Sequence, residues 1–133
     1  MLFIFYDLET RQEKQLEEGS YLHEADLCVF KQCCDTCLNT TVEICKKCCA
    51  RLQVLKVKPI DRFMEFILNQ RKIFKQVVVI AHNGQAFDRQ FILNYILTAP
   101  DLNPDLIMRG TKIIMMRLEN VKFLDSTNYF PIA

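Results

Sequence analysis

The fold of this chain is predicted first from residues 77–88, which read VVVIAHNGQAFD. Four consecutive branched residues, Val77–Ile80, favour a central strand that is covered on both faces. The residues that follow it, 82–84, favour a turn, and apolar residues at helical spacing then predict a helix over about Ala86–Leu97. We therefore expect a strand that delivers Asn83 and Asp88 to a strand-to-helix junction.

Local patterns on either side of this stretch predict the other elements. A polar stretch over Thr10–Glu24 contains Gly19-Ser20 as its turn, and Pro59 marks the start of a helix. We predict strands at Leu2–Asp7, Leu27–Lys31, Leu52–Val57, Thr111–Arg117 and Val121–Asp125, and an earlier helix over about Ile60–Gln70. The order β, β, β, α, β, α, β, β implies an α/β domain with a mixed sheet and helices packed on it.

Composition limits the classes of protein that this chain can be. Its 133 residues are 50% hydrophobic and 25% charged, which fits one folded domain and excludes a disordered tail. The net charge is +1, so any contact with nucleic acid must come from a local arrangement. The apolar runs are too short to span a membrane, and Asp7 interrupts the opening run, so we expect neither a transmembrane segment nor a signal peptide.

Seven cysteines suggest a metal site in an intracellular, reducing compartment, because six of them cluster within Cys33–Cys49. Two C-x2-C pairs, Cys34/Cys37 and Cys45/Cys48, have the spacing of a structural Zn²⁺ site. Cys33 and Cys49 are adjacent alternatives, so the sequence leaves the ligand register open, as it does a metal-free cysteine-rich loop. We predict that Cys28 is a small buried residue on its strand.

A pair of carboxylates, Asp7 and Glu9, lies where the first strand is predicted to end. Alternate side chains of a strand point to the same side, about 6.5–7 Å apart, so the two could share a divalent cation. Acids turning into solvent at a strand end are the simpler explanation. Asp88 is predicted in the first turn of a helix, where an anion is favoured. Three carboxylates from separate segments at one edge of the sheet could together hold two metal ions, so Asp88 favours a metal site over the simpler explanation.

Several motifs resemble those of a known family. Residues 5–10, FYDLET, resemble the first motif of DEDD-type 3′–5′ exonucleases, and residues 83–88, NGQAFD, resemble the second. Residues 125–131, DSTNYFP, are similar to a segment of protein-primed family B DNA polymerases of organelles, viruses and large transposons. A cysteine-bearing insertion between the first two motifs also occurs in that group. The resemblance implies a ribonuclease-H-like fold with a zinc-clip insertion at 28–51.

The resemblance also implies roles for individual residues. Asp7, Glu9 and Asp88 would bind two Mg²⁺ or Mn²⁺ ions for hydrolysis of the 3′-terminal phosphodiester of single-stranded DNA. A second set would contact the primer 3′ end, and it comprises Asn83, Phe87, Ser126 and Thr127. Phe87 also begins the apolar stripe of its helix, so it has an equally good explanation as a core residue. The parent polymerase would work on template-primer DNA with a terminal priming protein.

The chain departs from this family in three respects. It stops at Ala133, before the motif that supplies a Tyr and a fourth acid, and it lacks the polymerase palm, fingers and thumb. Thr127 stands where the family has Leu. We therefore expect residues 1–133 to be a partial exonuclease domain that is weakly active or inactive alone. The alternatives are a stand-alone DEDD exonuclease on DNA or RNA and a non-catalytic, zinc-dependent nucleic-acid-binding remnant.

A basic stretch begins between Cys45 and Cys48 and continues beyond the last cysteine. Its members are Lys46, Lys47, Arg51, Lys56 and Lys58. It could follow a nucleic-acid backbone, and a solvated surface explains it at least as well.

Overall fold

Residues Val77–Ala81 form the middle strand of a seven-stranded mixed sheet in the computed structural model of the chain. The structure describes the backbone of residues 1–15, 21–81, 86–99, 101–109 and 112–125, and the side chains of 1–9, 25–81, 91–99, 101–107 and 115–124. The elements are β1 (Leu2–Gln15), β2 (Tyr21–Cys34), β3 (Ile44–Cys45), β4 (Cys49–Ala50), β5 (Leu52–Leu55), α1 (Pro59–Gln70), β6 (Val77–Ala81), α2 (Ala86–Thr98), β7 (Asp105–Arg109), β8 (Lys112–Leu118) and β9 (Val121–Asp125).

The large sheet has the order β5-β2-β1-β6-β9-β8-β7, and β3 pairs only with β4 in a separate two-stranded sheet. Strands β1, β6 and β9 are parallel to one another, and the other neighbours in the large sheet are antiparallel. Parallel neighbours need a crossover connection, and α2 lies in the chain between β6 and β9. The predicted α/β class and mixed sheet are therefore confirmed.

One face of the sheet carries the core. Tyr6 on β1 and Phe30 on β2 are paired across the two strands, and both rings contact Phe63 of α1, with centroids 4.9 and 5.1 Å away. Helix α2 adds Ile92 and Ile96 to the same core and packs against α1. These helices bury their apolar residues at the i, i+4 spacing of one helical face.

The other face of the sheet is open among the described residues. Phe5 is 43% exposed and Val54 on β5 is 49% exposed, while Val78 and Ile80 on β6 are only half-buried. The expectation that residues 77–80 are covered on both faces is therefore wrong for the described part of the chain. Side chains on the neighbouring strands cover part of Val78 and Ile80. An apolar run can therefore stand in the middle of this sheet without a second layer on the open face.

Both predicted helices are confirmed, and the strands differ from prediction mainly in length. Pro59 opens α1, one residue before the predicted start. β1 and β2 continue far into the polar stretch, because two antiparallel strands satisfy each other's backbone groups even where no apolar pattern marks them. The edge strand β7 and the short strands β3 and β4 were not predicted, and Leu106 and Ile107 on β7 are exposed. The predicted turn at Gly19-Ser20 lies outside the described residues.

Within the described part of the chain, neither helix is long and apolar enough to cross a membrane.

Candidate metal centre

Four cysteine side chains meet in the segment that connects β2 to β5. Cys34 ends β2 and Cys37 lies in the turn after it, while Cys45 ends β3 and Cys48 lies in the turn before β4. All four are buried, with at most 4% of each side chain exposed. Their Sγ atoms lie within 4.8 Å of one another, and they form the one group of three or more potential metal ligands among the described side chains.

The distances between the sulfur atoms fit a tetrahedral zinc site. Cys34 Sγ lies 3.9 Å from Cys37 Sγ and 3.7 Å from Cys45 Sγ, and Cys37 Sγ lies 3.7 Å from Cys48 Sγ. Four sulfurs at about 2.3 Å from a central Zn²⁺ are about 3.8 Å apart along the edges of the tetrahedron. A disulfide requires about 2.05 Å, so the thiols are free and could bind a zinc ion.

Two thiols of the same C-x2-C pair, Cys45 and Cys48, have pKa values shifted in opposite directions. Backbone N–H groups of Cys48 and Lys47 donate to the Cys45 sulfur and lower the pKa of Cys45 to about 6. The Lys47 bond measures 3.4 Å. Burial raises the pKa of the Cys48 thiol, and hydrogen bonding with Cys37 raises it further. Without a cation the cluster therefore has one thiolate-like ligand beside a thiol that keeps its proton.

Gln32 joins the second cysteine pair to the main sheet. Its side chain is fully buried on β2, and its Nε2 donates to the carbonyl oxygens of Cys48 at 2.6 Å and Ala50 at 2.8 Å. Two backbone carbonyls beside the metal ligands are thus satisfied by one side chain from another strand. The turn that carries Cys45 and Cys48 is fixed in position by these two bonds.

Arg51 closes the segment between the two cysteine pairs. Its Nη1 donates to the carbonyl oxygens of Thr40 at 2.9 Å and Val42 at 3.1 Å, and its Nε donates to the Gln32 carbonyl at 3.3 Å. Of the basic stretch, Arg51 is therefore a structural residue and is not free to follow a nucleic-acid backbone. Lys47 also has an internal role, since its Nζ lies 5.4 Å from the ring centroid of Phe74.

The structure selects one register among the six clustered cysteines. Cys33 precedes Cys34 on β2, so it points to the opposite face of the sheet, and it is only partly buried. Cys49 is exposed and has a φ of 71°, in the left-handed region, at the point where the chain leaves the turn for β4. The four cysteines that could hold a zinc ion are therefore those with C-x2-C spacing on both sides. Cys28 is fully buried, as predicted.

Sequence reasoning missed the residues that support the site. Gln32 bonds to carbonyls 16 and 18 residues away, and no local pattern connects a glutamine on a strand to a later turn. Arg51 lies three residues after Cys48, so its place in the sequence was a signal that it belongs to the metal segment.

The carboxylates Asp7 and Glu9 lie within β1, not at its end as predicted. They occupy alternate positions on the open face of the sheet, and both are exposed. The parallel ladder with β6 ends one residue earlier, at the pair Tyr6–Ala81, so both carboxylates lie just beyond the carboxyl end of β6. The strand continues past them because β2 remains its partner.

The other predicted site residues are placed only in part. Phe87 and Asp88 lie in the first turn of α2, and their side chains are outside the described residues. Asn83, Ser126 and Thr127 are also outside them. A two-metal site formed by Asp7, Glu9 and Asp88 therefore stays a prediction.

Known proteins do not add to this description. No protein-family model, curated protein or solved structure matches the chain.

Proposed function

We propose that this chain is the 3′–5′ exonuclease domain of a protein-primed family B DNA polymerase, with a structural zinc site in an insertion. Asp7, Glu9 and Asp88 would hold the Mg²⁺ or Mn²⁺ ions, which supply charge neutralisation and an activated water for phosphodiester hydrolysis. The substrate would be the 3′ end of single-stranded DNA. The proposal rests on the position of Asp7 relative to the parallel strands.

The carboxyl ends of three parallel strands meet at the edge where Asp7 lies. Tyr6 on β1, Ala81 on β6 and Asp125 on β9 are successive partners in one row across the sheet. Adjacent strands are about 4.8 Å apart, so the β1 and β9 positions in this row are about 10 Å apart. In open α/β sheets, sites lie at the carboxyl ends of the strands. Asp7 follows this row directly, and α2 begins five residues after Ala81.

The strand order supports the ribonuclease-H-like assignment. Without the β7–β8 pair, the strands of the large sheet in chain order are β1, β2, β5, β6 and β9. In the sheet these five stand in the order third, second, first, fourth, fifth. Among these five, only β2 runs antiparallel to the rest. Ribonuclease-H-like sheets have this arrangement. The added pair β7 and β8 extends the sheet beyond β9.

The cysteine cluster fits a structural role in the same proposal. Four thiolates complete the tetrahedron of a zinc ion and leave no open position for substrate or water. The segment they organise lies between β2 and β5, within the stretch that separates Asp7 from Asp88 in sequence. Zinc would therefore shape the insertion while the chemistry takes place at the carboxylates.

Calorimetric titration of the zinc-loaded chain with Mn²⁺ tests the carboxylate site. We expect binding that is lost in both Asp7→Ala and Asp88→Ala and kept in Asp101→Ala, a matched control on an exposed turn. Loss in both variants would mean that two residues 81 positions apart serve one metal site. Absence of Mn²⁺ binding to a folded chain would refute the exonuclease proposal.

The zinc cluster favours a second candidate, a non-catalytic nucleic-acid-binding domain organised by zinc. It requires no divalent ion at Asp7. Binding of single-stranded DNA in the absence of Mg²⁺ and Mn²⁺, undiminished in Asp7→Ala and without strand cleavage when Mn²⁺ is added, would support it over the exonuclease.

A further inference from the structure

Three cationic side chains line a cavity at the other edge of the parallel strands. The cavity has a volume of about 350 Å³, and Lys75, Arg117 and Lys122 contribute its positive charges. The remaining lining residues are Gln76, Glu119 and Asn120. Lys75 lies two residues before β6 begins, so the cavity is at the amino end of that strand. It shares no residue with the carboxylates or the cysteine cluster.

Two of these cations are placed against each other by the sheet. Arg117 on β8 and Lys122 on β9 are directly paired in an antiparallel ladder. Like charges directly opposite destabilise a strand pair. Asp105 on β7 is the other cross-strand neighbour of Arg117, and among the described residues it forms no ion pair within 4 Å of it. An anion bound between the two cations would relieve this repulsion.

The one acidic residue of the lining is already engaged. Glu119 Oε2 lies 3.3 Å from Arg71 Nη1, so its charge is balanced by a cation that does not line the cavity. The Glu119 carbonyl accepts a hydrogen bond of 3.2 Å from Arg117 Nε, which leaves the other N–H groups of that guanidinium for a ligand. Within the described part of the chain, Lys75 and Lys122 have no carboxylate within ion-pair distance.

The rim of the cavity is held in place by Asn120. Its Nδ2 donates to the carbonyl oxygens of Arg71 at 2.9 Å and Phe74 at 3.0 Å, and its own carbonyl accepts from Val77 N. Glu119 has a φ of 53°, which sets the tight turn between β8 and β9. Lys75 directly follows Phe74, so these bonds fix the backbone beside it. The cations are thus presented on an ordered turn and two paired strands.

We propose that this cavity binds a phosphate group. A tetrahedral phosphate oxyanion can accept hydrogen bonds from an arginine fork and two ammonium groups at once, and three cations favour its negative charge. The group belongs either to a nucleic-acid backbone or to free phosphate. The cavity lies at the Val77 end of β6, and Asp7 lies beside the Ala81 end. These two ends are about 13 Å apart, so the phosphate site is separate from the proposed nuclease site.

Fluorescence anisotropy tests whether the phosphate group belongs to a nucleic-acid backbone. The probe is a labelled single-stranded DNA ten-mer in buffer without Mg²⁺ or Mn²⁺. Lys75→Gln and Lys122→Gln together should weaken binding about tenfold. The slope of log affinity against log salt should fall by about 0.7 for each lysine. Lys72→Gln is the matched control, an exposed lysine on the same loop that does not line the cavity, and it should leave the affinity unchanged.

Titration with inorganic phosphate tests whether the ligand is free phosphate. The amide NMR signals of Lys75 and Lys122 report the binding. Saturable shifts in the wild type that vanish in the double variant would support the phosphate site even if the ten-mer does not bind. Lys75→Arg, which keeps the charge, should retain binding in either assay. Equal losses in Lys72→Gln and the cavity variants, or no response to either probe in folded protein, would overturn the proposal.

Discussion

The Sγ atoms of Cys34 and Cys45 lie 3.7 Å apart although the two residues are eleven positions apart in the chain. This contact joins the end of β2 to the end of β3, so the two cysteine pairs form one site and not two independent turns. A metal ion at this site would cross-link two segments that are otherwise joined by the hydrogen bonds of Gln32 and Arg51, which makes the cluster the first target for experiment.

Replacing Cys45 by serine should remove zinc from the chain. We expect one Zn²⁺ per wild-type chain. Loss of a residue that only supports a ligand lowers metal affinity by up to about 100-fold, so loss of the ligand itself in Cys45→Ser should lower the zinc affinity by more than that. Cys49→Ser is the matched control, because Cys49 is exposed and outside the cluster. Metal content by mass spectrometry and affinity by chelator competition measure both. Equal zinc loss in the two variants would contradict the assigned register.

Zinc binding should release fewer than four protons at about pH 7.5. The pKa of Cys45 is lowered to about 6, so this ligand is already ionised, while the raised pKa of Cys48 means that its proton must leave. Calorimetry in buffers of different ionisation enthalpy counts the protons. A release of four would show that Cys45 is protonated in the free protein.

The same shift sets a pH dependence for the metal-free fold. Folding lowers the pKa of Cys45 from 9.0 to about 6, so its ionisation stabilises the folded state fully above pH 9, and the contribution is lost as the pH falls through 6. The free energy of unfolding of the metal-free wild type should therefore decrease over that range. The decrease should be smaller in Cys45→Ser, and an equal decrease in both proteins would contradict the assignment.

Gln32→Leu should destabilise the zinc-loaded chain by about 1–3 kcal/mol, because it leaves the Cys48 carbonyl without its buried donor and the Ala50 carbonyl with only the longer bond from Gln53. Gln53→Leu removes one longer bond of 3.4 Å to Ala50 and is the matched control, with an expected loss below about 1 kcal/mol. Urea unfolding measures both changes. Similar losses in the two variants would show that Gln32 has no special role at the metal segment.

Truncation of core and open-face phenylalanines should give very different results. Phe63→Ala removes the ring that Tyr6 and Phe30 contact, at an expected cost of about 3–5 kcal/mol. Phe5→Ala, on the open face with 43% of its side chain exposed, should cost much less. Thermal unfolding compares the two. A cost for Phe5→Ala equal to that of Phe63→Ala would mean that the face is covered in solution.

The sequence predicted the elements whose patterns are local. The branched run at Val77–Ile80 lies within β6, and the helical spacing after Pro59 lies within α1. Each pattern spans only consecutive residues, so it can be recognised without knowing which other segments pack against it. The paired C-x2-C spacing likewise predicted the four clustered thiols. In each case the signal lies within one segment of the chain.

Features that depend on distant partners were not predictable. The extension of β1 to Gln15 is determined by its pairing with β2, and the fixing of the Cys48 carbonyl is determined by Gln32 on another strand. The position of Asp7 within a continuous strand has the same origin. In each case the backbone groups are hydrogen-bonded by a partner that is distant in the chain. A polar stretch of sequence carries no local pattern that identifies this partner.

The cysteine cluster has a consequence for the order in which the chain folds. Strand β5 must find β2 across the 20 residues that lie between Lys31 and Leu52, and the cluster lies entirely within that loop. Closing a flexible loop costs entropy that grows with its length, by about 0.6 kcal/mol for each doubling. A zinc ion bound early would hold residues 34–48 together and shorten the effective loop. The metal would then accelerate the growth of the sheet at the β5 edge as well as stabilise its final state.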